Sequence, residues 1–204
     1  MIRTILHYPD PRLREKGKRV ETVTDEVKKL VDDMAETMYA APGVGLAATQ
    51  IGESVQIFVI DTADEGEPSD FRVFVNPEIL ESEGELTWTE GCLSFPGVSE
   101  EIDRAAKVRV RAQDREGKTF ELEAEGLLAV AIQHEYEHLQ GVLMIDHMGP
   151  LKLGRTIDER IDDLARRVAN TGQKNLLAHG ARLENGALVI PRQTVQTQPL
   201  EYFD

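Results

Sequence analysis

The sequence predicts an α+β fold: antiparallel β-sheets wrapped around a central helix that carries an HExxH string, with one helix nearer the N-terminus and another nearer the C-terminus. Three observations carry this expectation. From Thr24 to Pro42, apolar residues recur at i, i+3, i+4 and i+7. Between about residues 55 and 125 the period falls to two. Residues 126–141 return to a helical pattern whose first half is apolar almost all round, as suits a helix threaded through the middle of a fold.

Taken in order, the chain opens with Pro9, Pro11 and a basic cluster of Arg12, Arg14, Lys16, Lys18 and Arg19. This reads as a turn-rich arm over the domain, its charges in solvent. Val27, Leu30, Val31, Met34 and Met38 form the stripe of the first helix, which Thr24 caps and Pro42 ends. "APGVGLAATQIG" then places three glycines in a short apolar segment, so backbone must come close to something there. "VQIFVI", "FRVFV", "ELTWTE", "KVRVRA" and "TFELEAE" supply strands, and the acidic "DTADEGEPSD" at 61–70 reads as a solvated loop between two of them. The central helix, "GLLAVAIQHEYEHLQG", precedes a last one over about 155–168, with Ile157, Ile161, Leu164 and Val168 on one stripe. One domain is expected over 1–170. The tail, 171–204, is rich in Gly, Asn, Gln and Thr, and "RLENGALVI" at 182–190 predicts a hairpin about Asn185-Gly186.

A chain of 204 residues, 41% hydrophobic and 29% charged, has the composition of one globular domain with a substantial core. A formal charge of −14 opposes sequence-independent binding to DNA. The longest apolar stretch, Gly126 to Ile132, is too short to span a bilayer, and the first residues show neither a signal-peptide core nor a transit segment. Action in the cytoplasm, away from membranes, is the expectation. The single cysteine, Cys92, excludes an intramolecular disulfide and leaves three roles: buried hydrophobe, nucleophile or metal ligand.

In "QHEYEHLQG", 133–141, His134 and His138 stand one turn apart on one helix face and can aim at a single point. Glu135 lies beside that point, where a carboxylate can deprotonate a metal-bound water without being a ligand. The third ligand separates the hydrolase classes. A metzincin would place a histidine where this chain has Met144, so that class fails. A gluzincin would take a glutamate from a later helix, for which Glu159 is the candidate. Cys92, in the shaped segment "EGCLSFPG", is the other, and a closed structural site would need a fourth protein ligand such as His147.

Three separated segments, "GVGLAATQIG" at 43–52, "EGCLS" at 90–94 and "QHEYEHLQG" at 133–141, together closely resemble the peptide deformylases. The likeness extends to the opening "ILHYPDPRLR" and the "PLK" after the metal helix, and covers about residues 1–170. It implies a hydrolase that removes the formyl group from N-formylmethionyl nascent peptides, with Cys92, His134 and His138 on one divalent ion. It implies ferrous iron in cells, with zinc, nickel or cobalt as alternatives in purified protein. Glu135 would act as base and then acid, while the Gln50 amide and the Leu93 N–H would meet charge on the formyl oxygen. Gly45 would accept the peptide as an added strand, and Val44, Phe95, Val130 and Ala131 would line the methionine pocket. Glu90 and Arg104 would orient the cysteine segment.

Two departures stand out. Most members read HExDH, whereas this chain has Glu137, one methylene longer; many carry an arginine where this chain has Ser99. Some members touch the ribosome through a C-terminal helix. Here Lys152, Arg155, Arg160, Arg166 and Arg167 are interleaved with Asp158, Glu159, Asp162 and Asp163, which gives no strong basic face. A monomer is expected, with a tail-mediated dimer as the alternative.

Overall fold

Helix α1, Asp25–Ala40, starts where Thr24 offers its hydroxyl to the Val27 N–H at 3.4 Å, and ends just before Pro42. The computed structural model describes residues 1–64 and 66–148, and the backbone of 182–184 and 187–189. Strands β1 (Gly45–Ala47), β2 (Ile57–Ile60), β3 (Arg72–Glu83), β4 (Leu86–Gly91), β5 (Ser99–Arg104), β6 (Lys107–Gln113) and β7 (Thr119–Glu125) lead into helix α2, Gly126–Leu139. All pairings between these strands are antiparallel, and an isolated parallel bridge joins Lys18 to Val55 outside them. Five strands form one sheet in the order β1-β2-β3-β6-β7, and β4 and β5 form a separate ribbon. The chain divides into two compact units, Met1–Gly149 and Pro150–Asp204. In the second, β8 (Arg182–Glu184) pairs antiparallel with β9 (Ala187–Val189) across Asn185-Gly186. The expected helix over 155–168 lies outside the described residues.

The period of two in the sequence becomes two cores on the two faces of the sheet. Phe58 and Ile60 of β2 point to one side, where Phe74, Val108, Val110 and Ala112 meet Ala129, Ala131, Ile132 and Leu139 of α2. Ile57 and Val59 point to the other, against Val31, Met34 and Met38 of α1. All four residues of β2 are therefore buried, so the strand is covered by a helix on each face. β3 is interrupted where its register against β6 shifts between Val75 and Glu78. Asn76 there has φ 51°, and Pro77, which has no N–H for the ladder, is accommodated by the irregularity. The Asn76 side chain fills the gap by bonding the Val20 N–H and C=O, each at 2.8 Å.

The acidic loop after β2 is not merely solvated. Asp61 accepts from the Tyr39 and Ser69 hydroxyls, both at 2.6 Å, and from the N–H groups of Ala63 and Asp70. Its own N–H donates to the Val44 carbonyl at 2.9 Å, which braces the segment leading into β1. Burial works against its charge, but the hydroxyls and N–H groups outweigh it and hold the carboxyl down to about 2. A carboxyl depressed by folding stabilises the native state above its unfolded value of about 3.9, and that contribution is lost as pH falls through the folded value. Asp61→Asn is expected to be less stable than the wild type near neutrality, with the gap closing between about pH 4 and pH 2. Denaturant titrations of both proteins at several pH values check this; a gap independent of pH would assign the loss to shape, not charge.

Candidate active site

The site lies where three elements meet: the buried face of α2, the turn after β4 and the edge strand β1. α2 contributes His134, Glu135 and His138, all buried, in its last two turns. Cys92 follows β4 directly, in a turn fixed by bonds from the Phe95 N–H to the Cys92 carbonyl (2.9 Å) and from the Val98 N–H to the Phe95 carbonyl (3.1 Å). The ligating atoms of Cys92, His134 and His138 lie within 4.8 Å of one another, the one such group among the described residues. The Cys92 Sγ to His138 Nε2 separation is 3.2 Å. A tetrahedral ion with N and S donors would set its ligand atoms about 3.3–3.6 Å apart. The soft thiol and two imidazoles are also a chemically sensible set for a first-row transition metal.

The surrounding groups favour a positive centre there. His134 Nδ1 is 2.8 Å from Glu90 Oε2, which fixes the tautomer and turns Nε2 toward the thiol. Burial opposes protonation of His134, yet its contacts with Cys92 and Glu90 win and hold it well above the usual imidazole range. His138 is pushed well below that range, by burial first and then by the His134 and Arg104 charges, so it is a neutral donor. Burial lifts the Glu135 carboxyl to about 7, with His134 opposing and Glu90 adding to the rise. Two buried polar atoms, Glu135 Oε2 and His138 Nδ1, have no hydrogen-bond partner among the described residues. An unpaired buried carboxylate oxygen is costly unless a ligand or water uses it.

Of the residues named from sequence, Gln50 also reaches this point, and Leu93 follows Cys92 in the chain. Gln50 is buried in a 3₁₀ turn, Ala48–Ile51; its Oε1 accepts the Ala47 N–H at 2.8 Å, and its Nε2 lies 3.2 Å from Ser94 Oγ and 3.6 Å from Cys92 Sγ. Leu93 is half-buried with its side chain against Gly43. Val44 is 48% exposed, whereas Phe95, Val130 and Ala131 are buried. Ala131 packs within the core between α2 and the sheet, and Phe95 stacks on Tyr8 at 5.2 Å. The Glu90–Arg104 pair is present, with contacts of 2.6 and 3.0 Å, and Glu137 reaches Arg104 at 2.7 Å despite its extra length. Arg104 holds Glu90 well ionised, down to about 2, although burial opposes the charge. His147 bonds Glu137 and is not among the converging ligands; Glu159 lies outside the described residues.

Sequence reading gave no part in the site to Ser94 or to the opening arm, which it placed only as a turn-rich segment over the domain. The Leu6 N–H donates to the Gln50 carbonyl at 2.7 Å and the Tyr8 N–H to the Ser94 carbonyl at 3.0 Å, so the arm ties the Gln50 and Ser94 segments together. Only the closeness of Ser94 to Cys92 in "EGCLS" could have hinted at its part. The Gly45 position also has a second reason beyond room for a peptide. A Cβ built there would stand 2.6 Å from Glu135 Oε1 and 3.0 Å from its Cγ and Cδ. The backbone of Gly45 is not left-handed, so the constraint is space alone. Gly45→Ala is expected to keep the fold and the ion and to lower kcat by up to about 100-fold, because Glu135 must move. Parallel measurement of kcat and metal content decides it; an unchanged kcat would show that Glu135 has room to spare.

Two imidazoles and a thiol converging on one point, with a buried carboxylate beside them, define a mononuclear metal-dependent hydrolase centre. Residues 2–153 match the family model of polypeptide deformylase, and the chain belongs to that family, whose members remove the N-formyl group from nascent peptides. A peptide deformylase of Azotobacter vinelandii is 55% identical over 156 residues, covering 76% of this chain and 91% of the relative. "Peptide deformylase 1" of Burkholderia multivorans is 52% identical over 152 residues, covering 74% and 83%. Among solved structures, a peptide deformylase from Legionella pneumophila superposes with TM-score 0.74 at 48% identity, covering 83% of this chain and 98% of that one. One from Synechococcus elongatus in complex with actinonin gives TM-score 0.73 at 40% identity, covering 77% and 86%. No helix among the described residues is long and apolar enough to cross a membrane.

Proposed function

We propose that this chain removes the formyl group from the N-terminal formylmethionine of nascent polypeptides, releasing formate, with one divalent ion on Cys92, His134 and His138. The observation that carries the reading is the convergence of those three ligand atoms beside the buried Glu135 Oε2, unpartnered among the described residues, and beside β1 at the edge of its sheet. The ion supplies Lewis-acid activation of water and of the formyl carbonyl. Glu135 takes the proton of the attacking water as the C–O bond forms, and returns it to the nitrogen as the C–N bond breaks. Burial raises the Glu135 carboxyl toward neutrality, which favours its giving the proton back as well as taking it. The Gln50 amide, held by Ala47 and Ser94, and the Leu93 N–H meet the charge on the formyl oxygen.

Among the described residues β1 pairs with β2 on one side only, so the Gly45 backbone offers its other edge to an extended peptide. Val44, Phe95, Val130 and Ala131 line the methionine pocket in this reading. Ferrous iron is the ion in cells, the nascent chain is the partner, and ribosome contact is transient. The chain works in the cytoplasm as a monomer over one catalytic domain, 1–170, with 171–204 as a tail. Anaerobic purification, metal analysis and a formate-release assay on formyl-Met-Ala-Ser test the reading. Release of formate with the peptide bonds intact is expected; cleavage of internal peptide bonds would favour an endopeptidase with Glu159 as third ligand.

A further inference from the structure

The ionic contacts behind His134 do not stop at Arg104. Glu90 Oε2 meets His134 Nδ1 at 2.8 Å, and Arg104 grips both Glu90 oxygens through Nε (2.6 Å) and Nη2 (3.0 Å). The remaining Nη1 meets Glu137 Oε1 at 2.7 Å, and Glu137 Oε2 lies 2.8 Å from His147 Nε2. Five side chains thus form one unbroken line from the exposed His147 to His134 at the metal site. Since a carboxylate cannot donate, the Nε2–H of His147 does.

His147 is itself well placed to serve as an anchor. It closes a 3₁₀ turn, Met144–His147, whose Asp146 carboxylate accepts the Leu143 N–H at 2.8 Å and pairs with Arg14. Met144 and Ile145 are buried, so the turn is fixed from both sides. Glu137 gains from such an anchor: its side chain has three rotatable bonds, and ordering them to hold one oxygen on Arg104 costs conformational entropy. A second contact on the other oxygen makes one rotamer serve both partners.

We propose that His147 is a positioning residue for the metal centre, acting through Glu137, Arg104 and Glu90 to fix the ring of His134 and so to slow loss of the ion. This rests on the functional reading above. The competing account is an ordinary surface ion pair, since the His147 and Glu137 side chains are 32% and 24% exposed. Such a pair would contribute little to stability and leave the ion untouched.

The two accounts separate in the rate at which the cobalt(II)-loaded enzyme yields its ion to excess chelator. His147→Ala is expected to release cobalt about tenfold faster than the wild type, the low end for losing an outer partner of a metal ligand. His147→Gln, whose amide N–H can reach the same carboxylate oxygen, should stay within about twofold of wild type. Adding His147→Ala to Glu137→Gln should produce no further acceleration. Unchanged release in folded His147→Ala would overturn the proposal, as would equal acceleration by the alanine and glutamine variants, or full acceleration with Glu137→Gln already present. A wild type that binds no cobalt would overturn the functional reading along with it. A wild type that binds it, with His147→Ala indistinguishable, overturns this proposal alone.

Discussion

Replacing Glu135 with glutamine is expected to lower kcat on a formyl-Met peptide by about 10²–10⁴-fold while the protein keeps its ion. The amide has the shape of the carboxyl but cannot take a proton from water and hand it to the departing nitrogen. Nothing structural should be lost. Glu135 Oε2 has no protein partner to forfeit among the described residues, and burial already works against the charged form, having raised the carboxyl to about 7. Stability should therefore be equal to that of the wild type or higher. Turnover and metal content measured on one preparation decide the point: a variant with full metal and turnover within a few-fold of wild type would mean that Glu135 carries no proton. Loss of metal would instead make it a ligand, which its position beside the three converging atoms does not support.

Replacing Cys92 with alanine should have the larger effect on the ion. Removal of one of three protein ligands is expected to weaken metal binding by more than about 100-fold, beyond what an outer partner costs, and to take turnover with it. His138→Ala should do the same. The fold should survive the cysteine change, because Cys92 is half-buried and its turn is held by backbone bonds and by the arm at Tyr8. Metal analysis after dialysis, alongside a denaturant midpoint, checks both halves. If Cys92→Ala kept its ion and Glu159→Ala lost it, the third ligand would be Glu159 and the peptidase reading would replace this one.

Much of this could be read from the chain because helices and strands write their faces as periods. Spacing of four put His134 and His138 on one face, and alternating or β-branched runs marked β2, β3, β4, β6 and β7, whereas the short β1 and the charged β5 carried no such run and went unmarked. Thr24 and Pro42 bounded α1 by local chemistry alone. Cys92 required more: its place beside the histidines depends on how the β4–β5 ribbon is set against α2. Resemblance to a family supplied that, where spacing in one sequence left Glu159 open.

What the chain determined by itself was the inventory: which residues could bind, which could carry a proton, and which helix would hold them. The tertiary structure decided the distances between segments far apart in sequence. Gly45 illustrates this, because local sequence shows only that backbone approaches something, and the partner proves to be a carboxylate 90 residues later. Asp61 is another case. In the sequence it is one charge in an acidic run, and in the fold it collects two hydroxyls and two N–H groups. Glu137 is the third, since its extra methylene reads as a departure until Arg104 and His147 are seen on its two oxygens. Periodicity is a property of one element and is written locally. Convergence of side chains from separate elements depends on how those elements pack, and no local pattern encodes that vector.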